Sequence, residues 1–259
     1  VEALGQGVAA EPREMAYGPD RGQKLQVFAP DGKSDLPILL FFHGGAWING
    51  HAGWLKFMVP AVLAMPAILV AGTYRLAPRC RWPAQINDVR AALDHVREHA
   101  SGFGGNAERI VVGGHSAGGH LASLLALRET ERPVLGCMPV SAPFDLRYGD
   151  VPLESDAGRV YRYLLRERHQ DVEASPIRYI HSEAPPFHIV WGGEDLERVQ
   201  ESGRRMVEAL RQSGVSVTSE IIPKASHFDT HLSLSTPQNA WYDHLGLFFT
   251  HQRGVLNGD

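Results

Sequence analysis

The segment Gly114-His115-Ser116-Ala117-Gly118 carries the clearest chemistry in this sequence. It follows an apolar run, Arg109–Gly113, and precedes a stretch rich in alanine and leucine, Ala117–Leu127. A serine between a strand and a helix, with glycines two positions before and after it, suits a sharp turn. The small residues let the helix pack directly on the strand. Such a turn holds the hydroxyl exposed at a helix N-terminus, where it becomes a nucleophile once a base takes its proton. The plain alternative is a glycine-rich connection holding a serine by chance. The strand before it, the helix after it and the further Gly119 argue against that.

A serine that attacks a carbonyl needs three kinds of help, and the sequence offers a candidate for each. His43-Gly44-Gly45-Ala46-Trp47 ends another apolar run. Glycines there let backbone N–H groups approach a developing oxyanion. Gly44 and Gly45, with the N–H of Ala117 just after the serine, make a three-donor set. Gly192-Gly193-Glu194-Asp195 follows the run Phe187–Trp191 and puts a carboxylate at a strand tip, suited to orient an imidazole. Asp195 is preferred there, with Glu194 and Glu197 as near competitors. His227, in Ala225-Ser226-His227-Phe228-Asp229, follows the last strand candidate and is preferred as the base over His231. His227, Asp229 and His231 would share one face of a strand and so suggest a metal site. Their segment reads as polar loop, however, and neither H-E-x-x-H nor a paired-cysteine motif accompanies it. No metal is expected. Gly102-Phe103-Gly104-Gly105 precedes a strand instead of following one and reads as a turn, so no dinucleotide or other cofactor is expected.

Regular elements must bring these distant residues together. Leu36–Phe42, Ala67–Tyr74, Arg109–Gly113, Val134–Val140 and Phe187–Trp191 are near-continuous apolar runs, the pattern of strands buried on both faces. Lys24–Phe28 alternates, as a half-exposed antiparallel strand does, and Val215–Ile222 is a last strand candidate. Between them lie helix signals. Pro83 suits a first turn before Val89, Ala92, Leu93 and Val96 at helical spacing. Ala117–Leu127, Val199–Leu210 with Gly214 as its stop, and Ala240–Phe249 complete the set. Strands alternating with helices predict a mostly parallel sheet of about eight strands covered on both faces, in one domain over residues 1–259. Phe144–Glu183 is long and poorly periodic, so it is either a lid over the site or a simple excursion with one helix.

Composition excludes other classes. The chain has 259 residues, 44% apolar and 21% charged, with a net charge of −4. That is ordinary globular usage, not that of a disordered, collagenous or coiled-coil chain. Two cysteines, Cys80 and Cys137, are too few for a disulfide scaffold, and they suit a cytoplasmic protein. Arg159, Arg162, Arg166 and Arg168 are diluted by Asp156, Glu167 and Asp171 and read as a solvated helix face, so no nucleic acid is expected. The run Val59–Gly72 is broken by Pro60 and Pro66 and is too short to cross a bilayer, so no membrane is expected. The opening Val1–Gly5 shows no basic region leading into an apolar core, and no signal peptide is read there.

The chain resembles α/β-hydrolases of the esterase and lipase group related to hormone-sensitive lipase. The likeness rests on His43-Gly44-Gly45, Tyr74-Arg75-Leu76-Ala77-Pro78, Trp82-Pro83-Ala84 with Asp88, and the segment Gly114–Ala122. Ser175-Pro176 and Pro185-Pro186-Phe187 also fit. It is similar to arylformamidases at Tyr17-Gly18-Pro19, at Trp47 after the glycines, at Phe144-Asp145-Leu146 and at His227-Phe228-Asp229. Two departures stand out: Ala46 replaces a third glycine, and His115 replaces an acid. The resemblance implies an α/β-hydrolase fold with a small or absent cap, and the triad order Ser116, Asp195, His227 is the one that fold uses. It implies Gly44, Gly45 and Ala117 as oxyanion donors and Arg75 with Asp88 as a structural pair. The expected activity is cleavage of a small, partly aromatic carboxylic ester, with an aryl formamide as the second choice. Trp47, Trp54 and His115 are candidates for substrate contact, although both tryptophans could equally be core. A homodimer is left open. A non-catalytic binding module on the same fold is the competitor from another class. Modules of that kind typically lose a triad member.

Overall fold

Every residue of Leu36–Phe42 is buried in the computed structural model, which describes residues 11–250. The opening segment read for a signal peptide lies outside them. The alternation along this strand is the organising feature of the fold. Ile38, Leu40 and Phe42 face one core, and Leu39 and Phe41 face the other. The neighbouring strands divide in the same way, with Ile68 and Val70 on one side and Leu69 and Ala71 on the other. Successive strand side chains point to opposite faces, so an unbroken apolar run requires cover on both.

The sheet has eight strands: β1 (Arg13–Ala16), β2 (Lys24–Phe28), β3 (Leu36–Phe42), β4 (Ile68–Gly72), β5 (Gly105–His115), β6 (Gly136–Val140), β7 (Phe187–Gly192) and β8 (Val217–Ile222). Their spatial order is β1-β2-β4-β3-β5-β6-β7-β8. The β1–β2 and β2–β4 pairings are antiparallel and the remaining pairings are parallel. The helices are α1 (Val59–Ala64), α2 (Ala84–His99), α3 (Ala117–Arg128), α4 (Gln170–Glu173), α5 (Glu197–Gln212), α6 (Asp229–Leu232) and α7 (Ala240–Thr250). The buried residues of α2, α3 and α5 pack into one core, and those of α1 and α7 into the other. None of these helices is long and apolar enough to cross a membrane.

Local differences from the sequence reading have physical causes. β1, Arg-Glu-Met-Ala, is an exposed edge strand with no apolar run to announce it. α2 starts at Ala84, one residue beyond Pro83. The four arginines after Asp156 do not share a helix face. The chain makes one wide turn at Val160–Leu164, then Leu165 turns extended. Arg162 pairs with Glu154, and Arg168 lies over the Tyr161 ring.

The junction of β5 and α3 leaves no room for side chains. A Cβ on Gly118 would stand 2.1 Å from the Phe42 carbonyl oxygen, and one on Gly114 would stand 2.3 Å from the Gly118 carbonyl carbon. Both obstacles are backbone and cannot swing aside. Replacing Gly118 with Ala is therefore expected to cost about 1–3 kcal/mol by overpacking. Thermal unfolding should show a drop of several degrees, whereas an unchanged Tm would mean the two backbones are not in contact.

Candidate active site

The parallel strands β3, β5, β6, β7 and β8 all end on the same edge of the sheet, where open α/β sheets bind their ligands. Each loop stays tied to the next strand as it leaves. Ser116 N–H donates to the Val140 carbonyl at 2.8 Å, Ser141 N–H to Val190 at 2.7 Å, and Gly193 N–H to Ile222 at 2.9 Å. The loops therefore begin in fixed positions relative to one another.

Ser116 has φ +52 and ψ −118, a conformation that L-residues rarely adopt. Strain of this kind costs on the order of 1–3 kcal/mol and persists only where its surroundings over-determine it. Here the buried helix α3 and strand β5 hold the turn from both sides. Ser116 Oγ lies 2.9 Å from His227 Nε2, and His227 Nδ1 lies 2.7 Å from Asp195 Oδ1. An ionised carboxylate only accepts, so Nδ1–H donates to Asp195. Nε2 is left to accept the serine proton.

Asp195 is buried, which by itself would raise its carboxyl. Hydrogen bonds from His227 and Ser141, the charge of His227 and the Leu196 N–H outweigh burial and hold it below the usual carboxylate range. Ser141 Oγ donates to Asp195 Oδ2 at 2.5 Å and lies 2.7 Å from Thr230 Oγ1. Thr230 in turn donates to the His227 carbonyl at 3.0 Å. Ser141 itself sits at φ +50, just past β6. Neither Ser141 nor Thr230 stands out in the sequence. A serine ending a core strand beside the strand that leads to Ser116 is the only hint, and it is weak. Glu194 and Glu197, the competing acids, are exposed.

The glycine loop after β3 folds tightly against Ser116. A Cβ on Gly44 would stand 2.8 Å from His115 Nδ1 and 3.3 Å from Ser116 Cβ. Gly45 adopts φ +114, where a Cβ would strike the Asn49 carbonyl oxygen at 2.1 Å. The next two residues, Ala46 and Trp47, also have positive φ. Trp47 is held there by its indole N–H, which donates to His120 Nδ1 at 3.2 Å, and by its carbonyl, which accepts from Ala77 N–H. Ala117 is the buried first residue of α3.

A cavity of about 440 Å³ opens on Ser116 and His227. Gly44, Gly45, Trp47, Trp54 and His115 line it, so every residue read as a candidate for substrate contact borders the same space. The two readings of Trp47 both hold, since it is buried and still forms part of the wall. Tyr148, Asp156, Arg159 and Val160 reach it from the excursion between β6 and β7. His231 is buried beneath the site and stacks on His115 at 4.5 Å. His115 Nε2–H donates to the His227 carbonyl at 2.8 Å. Asp229 turns away and accepts the Ser226 N–H. The Arg75–Asp88 pair is a bidentate bond at 2.7 and 2.9 Å that also ties Gln23 to the core.

The profile of the alpha/beta hydrolase fold family matches residues 39–230, most of the chain. The chain belongs to this family. Esterase LipQ of Mycobacterium tuberculosis is 31% identical over 277 residues, covering 96% of this chain and 65% of its own length. The α/β-hydrolase chain thus spans just under two thirds of that relative. Kynurenine formamidase of Danio rerio is 25% identical over 226 residues, covering 83% of this chain and 74% of its own. Among solved structures, the thermophilic carboxylesterase EstE1 superposes with a TM-score of 0.78 at 21% identity, covering 96% of this chain and 91% of its own. That likeness speaks for the fold alone.

Two outcomes follow from the geometry. Removing the Ser141 hydroxyl takes away one of the bonds that aim Asp195. Ser141→Ala is expected to lower kcat about tenfold, the value of one charge-assisted bond, with KM little changed. A change confined to KM would contradict this. The second concerns histidines. Burial lowers His43 and His120 to about 4, His231 to about 3, and His115 well below its ordinary value. The unfolded chain takes up these protons near pH 6.5 while the folded one refuses them. Stability is therefore complete above that pH and falls as pH drops toward the folded values, by about 1.4 kcal/mol per pH unit for each group at most. Tm should decline between pH 7 and 5, and a flat Tm over that interval would contradict neutral burial.

Proposed function

We propose that this chain is a serine hydrolase that cleaves small carboxylic esters through an acyl-enzyme, with Ser116 as nucleophile. The observation that carries the reading is the continuous pair of hydrogen bonds from Ser116 through His227 to buried Asp195. His227 takes the Ser116 proton as Oγ attacks the carbonyl carbon. Asp195 fixes the imidazole tautomer and stabilises the imidazolium. The backbone N–H groups of Gly44, Gly45 and Ala117 hold the oxyanion of the tetrahedral intermediate, each donor being typically worth ~3 kcal/mol. His227 then passes its proton to the departing alcohol. Water, activated by the same imidazole, attacks the acyl-enzyme and frees Ser116. No step calls on a cofactor.

The esterase names of the relatives support this reaction class. The cavity walls are largely apolar and carry two tryptophans, which suits an aryl or short alkyl ester. The stretch from Tyr148 to Val160 acts as a small fixed lid, since Val160, Tyr161 and Leu164 are packed into the main core. Its anchors include the Leu164 carbonyl, which accepts Trp82 N–H, and the Ala174 carbonyl, which accepts His120 Nε2–H. A second reading, hydrolysis of an aryl formamide, is favoured by the kynurenine formamidase relatives. A formyl group needs almost no acyl pocket.

Ser116→Ala should lose at least about ten-thousandfold in kcat toward a 4-nitrophenyl ester while keeping its Tm. Turnover retained in that variant would refute the assignment. Acetyl, butyryl and formyl derivatives of one leaving group separate the two substrates. Comparable rates on acetyl and butyryl esters are expected, and a steep preference for formyl would establish the second reading instead.

A further inference from the structure

The charged groups around the catalytic cavity are paired, with one exception. Asp195 is matched by His227, and Arg159 is matched by Asp156 at 3.3 Å on the same turn. Arg198 lines the cavity from the first turn of α5, three residues beyond Asp195. It is half-buried and forms no ion pair among the described residues. Tyr148, on the excursion, lines the same cavity, and its hydroxyl feels the Arg198 charge. A cation in the first turn of a helix also works against the helix dipole. Nothing in the packing of α5 calls for a guanidinium there. The buried face of that helix is made by Val199, Ser202, Gly203, Met206, Val207 and Leu210.

Both groups keep donors available. Arginine only donates, so beside Arg198 the Tyr148 oxygen is the acceptor and its O–H faces elsewhere. Burial, partly offset by the Arg198 charge, pushes the Tyr148 hydroxyl up to about 12, so it keeps its proton near neutral pH. That O–H has no acceptor among the described residues. A guanidinium and a phenol thus present several N–H and O–H donors and one positive charge to a cavity whose walls include Ile48, Pro143, Val160, Leu196 and Val199 beside the Asp156–Arg159 pair. A planar fork of this kind matches a carboxylate better than any neutral group.

We propose that Arg198 and Tyr148 form a carboxylate-recognition subsite in the catalytic cavity, and that the preferred substrate is an ester bearing a carboxylate apart from its scissile carbonyl. This rests on the hydrolase reading above and narrows it from small esters in general to anionic ones. Arg198 acts here as a specificity residue that binds the far end of the substrate and places its carbonyl at Ser116.

The test uses matched ester pairs that differ in charge. 4-Nitrophenyl butyrate and 4-nitrophenyl hydrogen succinate place the carboxylate on the acyl side. Phenyl acetate and 4-acetoxybenzoate place it on the leaving group. For at least one pair, Arg198→Gln should lower kcat/KM for the charged member about tenfold to a hundredfold more than for its neutral partner, mainly through KM. Arg198→Lys should recover part of the loss, and Tyr148→Phe should show a smaller one. A residue that merely ties the excursion to α5 would lower both members of every pair alike, and that result overturns the proposal. A binding arm keeps the subsite separate from the chemistry. By calorimetry on the Ser116→Ala protein, benzoate should bind more weakly once Arg198→Gln is added, while benzamide binding should not respond to it. Should the wild type turn over no ester, the hydrolase reading fails and the benzoate comparison still decides the subsite. Benzoate binding indifferent to Arg198 overturns it.

Discussion

The site depends on three backbones meeting without side chains between them. β3, β5 and the start of α3 converge where Gly114, Gly118 and the Phe42 carbonyl touch. That contact forces the chain to reverse within one residue, and Ser116 is the residue that reverses. Its unusual dihedrals are the consequence, held by a helix and a strand that are both buried. A hydroxyl fixed in this way needs no reorganisation to face an imidazole from the far end of the sheet. The same crowding brings Gly44 against the Ser116 side chain, so Ser116 and the glycine loop are set by one constraint.

Electrostatics around that turn follow a simple division. The histidines packed under the site, His43, His115 and His231, are kept neutral by burial. They act as flat polar packing, with His115 stacked on His231 and bonded to the His227 carbonyl. One carboxylate, Asp195, is held ionised among donors from four residues: His227, Ser141, Leu196 and Gly192. A single buried charge among neutral rings polarises the one histidine it touches. A second cation beneath His227 would oppose formation of the imidazolium, which is a physical reason for His115 to remain uncharged.

Much of this was legible in the sequence because close backbone approach demands glycine and buried parallel strands demand unbroken apolar runs. Leu36–Phe42 and Phe187–Trp191 announce themselves in that way, and Ser116, Asp195 and His227 follow from their places after strands. The edge strand Arg13–Ala16 did not announce itself, since an exposed strand needs no apolar pattern. Ser141 and Thr230 were invisible for a different reason. A hydroxyl that serves a carboxylate across the sheet leaves no local periodicity. Arg198 and Tyr148 lie fifty residues apart on elements whose meeting only tertiary packing decides, and a basic residue beside three glutamates reads as ordinary helix surface. The arginines of the excursion read as a helix face because interspersed charge suggests one, whereas the chain turns extended at Leu165.

The proposed chemistry requires that the hydroxyl at the reversal is the group that attacks, with the glycine loop receiving the charge. A crystal structure of the protein after reaction with a small fluorophosphonate tests both at once. The expected result is a phosphorus–oxygen bond to Ser116 Oγ, with the phosphoryl oxygen within about 3 Å of the N–H groups of Gly44, Gly45 and Ala117. An adduct on another residue, or a phosphoryl oxygen turned to solvent away from those amides, would contradict it.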